Sequence, residues 1–247
     1  MDHPNRPFVD SVLRGLREGF WLFADEQPDD YPLTWDETRA PFQDDQVRQF
    51  LRDQRDEEIA AGRWSPSFGP DLLPGMYSMP IFAIPKREGS DKLRLINDLS
   101  AGRYSVNSMV RPEAVKGVTL DGIPALGDSI RSLADQHPGE KLMLWKSDIA
   151  HAYRNLPVHP TQQRFHINTI DGLRYVDHNL PFGARGSLKI WLAFDSLVHW
   201  IAVHKYEIRI LFNYVDDSFG PTLGSDLLWF GPYHNNIPFP QARFLSL

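Results

Sequence analysis

The sequence predicts an α+β fold, and three observations carry that reading. Apolar runs come in pairs joined by short turns containing Gly or Asp, which is how hairpins read. Other stretches keep apolar residues three and four apart, as helices that cover one face of a sheet do. Strands and helices do not alternate one by one, so a parallel βαβ sheet is not expected.

Taken in order, residues 1–42 mix Pro, Asp and aromatics and read as an irregular lead-in. Between Phe42 and Ala61 the spacing of Val47, Phe50, Leu51 and Ile59 predicts an exposed amphipathic helix closed at Gly62. A Pro- and Gly-rich loop follows to Gly75. Met79–Ile84 and Lys92–Asn97 form a hairpin around Arg87-Glu-Gly-Ser-Asp, and Leu120–His137 a helix stopped by Pro138-Gly139. The apolar strand Leu142–Ile149 carries Asp148 near its end. Phe165–Ile170 and Leu173–Asn179 make a second hairpin around Asp171-Gly172, and Gly183–Tyr206 is a long helix. Ile208–Val215 and Ser218-Phe219 read as strand, turn, strand, with Asp216-Asp217 at the turn, and Phe239–Leu247 as the first turns of a helix. The boundary falls at 75: an acidic lead-in with one helix over 1–75, and the main body over 76–247.

The 247 residues carry a net charge of −6, with 42% hydrophobic and 23% charged residues, as soluble domains do. With no cysteine, a disulfide scaffold, a thiolate zinc site and a Cys nucleophile are excluded. No apolar run is long enough for a membrane span and the first 20 residues lack a signal-peptide core, so an intracellular compartment is expected. Residues 1–62 hold 15 acids and 7 bases, whereas the other 185 hold 17 acids and 19 bases. The negative charge therefore belongs to the first quarter of the chain. Basic residues gather over 86–111, which makes either a local anion site or a solvated hairpin. The nine histidines are scattered, and His199 and His204, five apart, have the wrong spacing for a helical zinc pair.

Asp148 and Asp216-Asp217 stand at the ends of apolar strands, where a lone carboxylate is costly to bury. Adjacent acids at such a turn are explained by a hard divalent cation, since Mg²⁺ takes oxygen ligands. A solvated turn is the alternative, because Asp-Asp pairs also occur at 29 and 44.

Tyr214-Val-Asp-Asp resembles the Tyr-x-Asp-Asp box of reverse transcriptases. Three more segments match in the same order. Met79-Pro-Ile-Phe-Ala-Ile-Pro-Lys with Lys92-Leu-Arg-Leu-Ile-Asn-Asp-Leu-Ser resembles the fingers hairpin. Lys146-Ser-Asp-Ile-Ala-His-Ala-Tyr-Arg resembles the first palm aspartate box, and Leu180-Pro-Phe-Gly-Ala-Arg-Gly-Ser the template-grip segment. Ala60-Ala-Gly-Arg-Trp, Ser105-Val-Asn-Ser and Pro232-Tyr…Pro240-Gln-Ala-Arg look like the DIRS-type retrotransposon branch, including its fungal relatives.

The resemblance implies the fingers and palm of a right-hand polymerase, an antiparallel palm sheet with covering helices. It implies an RNA-directed DNA polymerase that binds an RNA or DNA template with primer and dNTPs. Asp148 and Asp216 would be the main ligands of two Mg²⁺ ions, or Mn²⁺, with the Ile149 carbonyl and Asp217 in support. Arg94 would contact the triphosphate, helped by Lys86 and Lys92. Tyr153 would lie under the sugar and exclude a 2′-hydroxyl, although without the resemblance a core aromatic is the preferred reading of that residue. Phe182, where many retroviral relatives have Gln, and Gly183 would touch nucleotide and template. Only 30 residues follow Asp217 and no lysine follows Lys205, so thumb and RNase H regions are expected to be missing. That favours weak, non-processive synthesis or a non-catalytic remnant of a mobile element. An RNA-dependent RNA polymerase fits less well, because Tyr153 would obstruct a ribonucleotide and the turn is Val-Asp-Asp.

Overall fold

The computed structural model describes residues 3–22, 29–40, 42–226 and 243–246. In chain order its elements are α1 (Arg6–Glu18), β1 (Trp35–Asp36), α2 (Asp45–Ala60), β2 (Tyr77–Ser78), β3 (Ile81–Pro85), β4 (Leu93–Asn97), α3 (Pro112–Val115) and α4 (Ile123–Gln136). Then follow β5 (Leu142–Asp148), α5 (Pro160–Gln163), β6 (Ile167–Ile170), β7 (Leu173–Val176), α6 (Ser187–Lys205), β8 (Phe212–Tyr214), β9 (Asp217–Leu223) and β10 (Arg243–Ser246). Two compact units result, each assembled from separated stretches.

The first unit takes the described parts of Met1–Asp10, Gly117–Ala152 and Trp191–Leu247. Its sheet has the order β10-β5-β9-β8 and is antiparallel throughout. In β5 the alternation is readable: Met143, Trp145 and Ser147 are buried, while Lys146 and Asp148 are exposed. Trp145 and Ala202 form its core with Ile208 and Leu211 packed on them, and α4 lies along β9.

The second unit takes Ser11–Lys116 and Tyr153–Ile190. Its sheet runs β1-β2-β6-β7, with parallel pairing at β1/β2 and β2/β6 and antiparallel pairing at β6/β7. The turn between β6 and β7 has positive φ at both Asp171 and Gly172, as a two-residue I′ loop requires. Helix α2, capped by the Asp44 carboxylate on the Gln46 and Val47 amides, packs on β3, β4 and β6. Tyr77, Met79, Leu99, Val106, Met109, Val110 and Phe165 form one core, and Leu51, Trp64, Ile81, Ile170 and Tyr175 another. Beside them lies a buried ionic network, in which Arg154 bonds Glu58 at 2.7 Å and Asp177 at 2.9 Å while Arg63 closes on Glu58 at 2.7 Å.

Three sequence expectations change. The lead-in is not irregular: Asn5 Oδ1 accepts from the Phe8 amide and opens α1, and Gly19 at φ 91° ends it. Phe20 folds back over Gly15, where an added Cβ would come within 2.3 Å of its ring. Over Arg243–Ser246 the chain is a strand instead of a helix, because pairing with Met143–Lys146 satisfies the edge of β5; residues 239–242 and 247 lie outside the described set. The strand expected from Ile208 begins only at Phe212, since Ile208 and Leu211 pack on Trp145 and Ala202.

Candidate metal centre

Strand β5 ends on Asp148, and its neighbour β9 begins on Asp217, directly opposite in register. Strands β8 and β9 pair through Tyr214 and Asp217, leaving Val215-Asp216 as a two-residue loop. The first position of such a loop needs positive φ, which usually selects Gly, yet here Val215 adopts φ 62°. A β-branched residue in that region is strained, so surrounding contacts must hold it. The Trp191 indole N–H donates to the Val215 carbonyl, and the Ile149 amide donates to the Asp216 carbonyl at 3.2 Å. Trp191 is fully buried, so this donor has a fixed position.

The result is a cluster in which oxygens of Asp148, Asp216 and Asp217 all lie within 4.8 Å of one another. Asp148 is exposed, the other two half-buried. Lys146 Nζ donates to Asp217 Oδ2 at 2.7 Å. Burial first, and then the negative charges of Asp148 and Asp217, raise the pKa of Asp216, against its own backbone amide and Lys146. Three acids facing one lysine leave excess negative charge, and an all-oxygen donor set fits a hard divalent cation. The fourth expected oxygen, of Ile149, accepts from the Ala152 amide at 3.2 Å. Just beyond it, His151 and Ala152 take positive φ as the chain leaves β5.

The remaining expected site residues belong to the second unit. Lys86, Lys92 and Arg94 are exposed along the β3–β4 hairpin, whose turn is closed by Lys86 N–H to Lys92 O at 2.7 Å. Among the described residues no carboxylate forms an ion pair with these three cations. Tyr153 is half-buried and packs on Phe182 with ring centroids 5.0 Å apart, while Phe182 itself is 52% exposed. Gly183 has φ 97°, and a Cβ there would come within 2.8 Å of the Asn97 carbonyl at the end of β4. Its own carbonyl accepts from buried Asn107 at 2.8 Å, a role that the Ser105-Val-Asn-Ser signature left unassigned.

Lys146 and Trp191 are contributors that sequence reasoning missed. Lys146 shares the exposed face of β5 with Asp148, so period-two alternation was its available signal. Trp191 carried no comparable signal, because its partner is a backbone carbonyl 24 positions away.

No protein-family model and no curated protein matches the chain. Among solved structures, the chain is similar to the native crystal structure of prototype foamy virus protease-reverse transcriptase, with a TM-score of 0.52 and 17% identity. The match covers 78% of this chain and 22% of that one. The chain therefore has a reverse-transcriptase-like fold. Among the described residues no helix is long and apolar enough to cross a membrane.

Proposed function

We propose that the chain is the fingers-and-palm core of an RNA-directed DNA polymerase from a retroelement of the DIRS-like branch, transferring a nucleotide from dNTP to a primer 3′-hydroxyl. The observation that carries the reading is the Asp148–Asp216–Asp217 cluster, held within 4.8 Å at the ends of antiparallel strands. The reverse-transcriptase-like fold around it supports the same reading. Asp148 and Asp216 would hold two Mg²⁺ or Mn²⁺ ions, with Asp217 and the Ile149 carbonyl in support. Bound there, divalent cations would supply a lowered pKa at the primer hydroxyl and charge neutralisation for the triphosphate. Lys146 orients Asp217 by its 2.7 Å hydrogen bond. Arg94 presents a planar fork suited to two phosphate oxygens, with Lys86 and Lys92 as point charges on the same hairpin. Tyr153 excludes a 2′-hydroxyl, and Phe182 and Gly183 contact the nucleotide and template.

Extension of oligo(dT) on poly(rA) with dTTP tests this reading. Nucleotide addition that requires Mg²⁺ or Mn²⁺ and disappears in Asp216→Asn supports it. No addition with either metal overturns it in favour of a non-catalytic remnant. A Tyr153→Ala variant that begins to accept ribonucleotides supports the role given to that ring.

A further inference from the structure

Helix α6 places Trp191, Asp195 and His199 four residues apart, so successive turns present them on one face. Each meets a different point of the β8–β9 hairpin. Trp191 donates to the Val215 carbonyl in the loop. Asp195 Oδ2 accepts from the Asn213 side-chain amide on β8. His199 Nε2 lies 3.3 Å from Ser218 Oγ on β9 and 3.4 Å from Asp195 Oδ2. Asn213 and Ser218 face each other in register, one rung below the Tyr214–Asp217 pair that carries the loop. The backbone of Asn213 is gripped as well: its amide donates to Asp121 Oδ2 at 2.7 Å, and its carbonyl accepts from the Asp121 amide at 3.2 Å.

This arrangement is expensive. Asp195 is 1% exposed, and burial pushes its pKa up to about 7. Burial drives His199 down to about 4, against the pull of Asp121. Asn213 Oδ1 is buried and makes no hydrogen bond among the described residues. Leucine at 195 and 213 would avoid those costs, since a buried acid and an orphan amide oxygen each disfavour the fold. Locally unfavourable groups of this kind belong where geometry matters more than stability.

We propose that Asp195, through Asn213 and with His199 on Ser218, is a positioning residue that sets the height and orientation of the Val215-Asp216 loop and of Asp217 beside it for cation binding. The proposal rests on the metal-site reading above. It differs from that reading in naming residues that touch neither metal nor substrate.

The test is Mn²⁺ titration of the full chain, followed by the electron paramagnetic resonance signal of free Mn²⁺, with thermal unfolding of every variant. Asp195→Leu and Asn213→Leu each weaken Mn²⁺ binding about tenfold, as loss of a supporting hydrogen bond behind a metal ligand does. Asp195→Asn, which still offers an acceptor to Asn213, stays within about threefold of the wild type by that same logic. The double variant Asp195→Leu with Asn213→Leu removes both polar partners, so its melting temperature recovers while its Mn²⁺ binding stays weak. Wild-type affinity in Asp195→Leu, or recovery of affinity together with melting temperature in the double variant, overturns the proposal alone. A wild-type chain with no Mn²⁺ affinity that Asp216→Asn abolishes overturns the metal site itself, and the proposal with it.

Discussion

Replacing Asp216 by Asn should stabilise the cation-free protein while removing its response to cations. Carboxylate oxygens of Asp216 lie within 4.8 Å of those of Asp148 and Asp217. At an effective dielectric constant of ~20, two like charges at that distance repel by about 3.5 kcal/mol. Exposure of Asp148, the nearby Lys146 and salt reduce this to about 1–2 kcal/mol. The sign follows from the raised pKa of folded Asp216, caused by burial first and its acidic neighbours next. Protonated Asp216 carries no penalty, so stability is highest below the unfolded pKa. Stability falls as pH rises through the window from the unfolded to the folded value, and the full loss is present above that window. The Asn variant lacks that loss. At pH 7 without divalent cations its melting temperature should rise by roughly 3–6 °C, by the usual scaling for a chain of this size. Wild type in Mg²⁺ at ten times its dissociation constant should gain about 1.4 kcal/mol, and the variant little. Scanning calorimetry of both proteins, with EDTA and with Mg²⁺, reads the two effects together. An Asn variant that melts lower in EDTA, or that gains as much from Mg²⁺ as the wild type, refutes the reasoning.

Arg154→Met should cost about 3–5 kcal/mol in urea unfolding, because Glu58 and Asp177 stay buried with less cationic compensation; a loss under 1 kcal/mol would show that water reaches both acids. His166→Gln should flatten the acid sensitivity of the fold. Burial, and then the Arg154 charge, lower the pKa of His166 to about 3, while in the unfolded chain it titrates near 6.5. Stability is therefore intact above about pH 6.5 and falls toward pH 3, by about 2 kcal/mol between pH 7.5 and 5. Urea titrations at those two pH values should show that much less loss in the variant, and equal losses would exclude His166 as the source. Gly220→Ala should destabilise by about 1–3 kcal/mol, since a Cβ there would sit 2.4 Å from the Ile210 carbonyl. A neutral outcome in thermal unfolding would mean that β9 yields at that point.

Much of the fold was legible because its signals are local. The hairpin around Asp171-Gly172, the turn at Gly89 and the helices α2, α4 and α6 follow from turn chemistry and apolar spacing within a dozen or so residues. Helix α1 had signals too, an Asn5 cap and a Gly19 stop, but they were masked by the Pro- and Asp-rich composition around them. Strands β1 and β2 span only two residues each and exist through parallel pairing with distant segments. Strand β10 likewise exists as the partner of β5. Such elements have no period of their own to read.

At the site the division is sharper. Residue type and strand-end position single out Asp148, Asp216 and Asp217 as chemistry-bearing, because acids ending apolar strands need a counter-charge. Their mutual distance depends on the β5–β9 register, and the Lys146–Asp217 contact joins positions 71 apart. Nor does the chain by itself announce that Val215 takes a left-handed conformation, or that Trp191, Asp195 and His199 hold the strands on either side of it. The amino-acid sequence alone determined which groups could hold a cation and which local elements carry them. Only the tertiary structure decided that the acids converge and that their loop is braced from a helix. Convergence and bracing are properties of long-range packing, whose cost in chain entropy is repaid by contacts no local window contains.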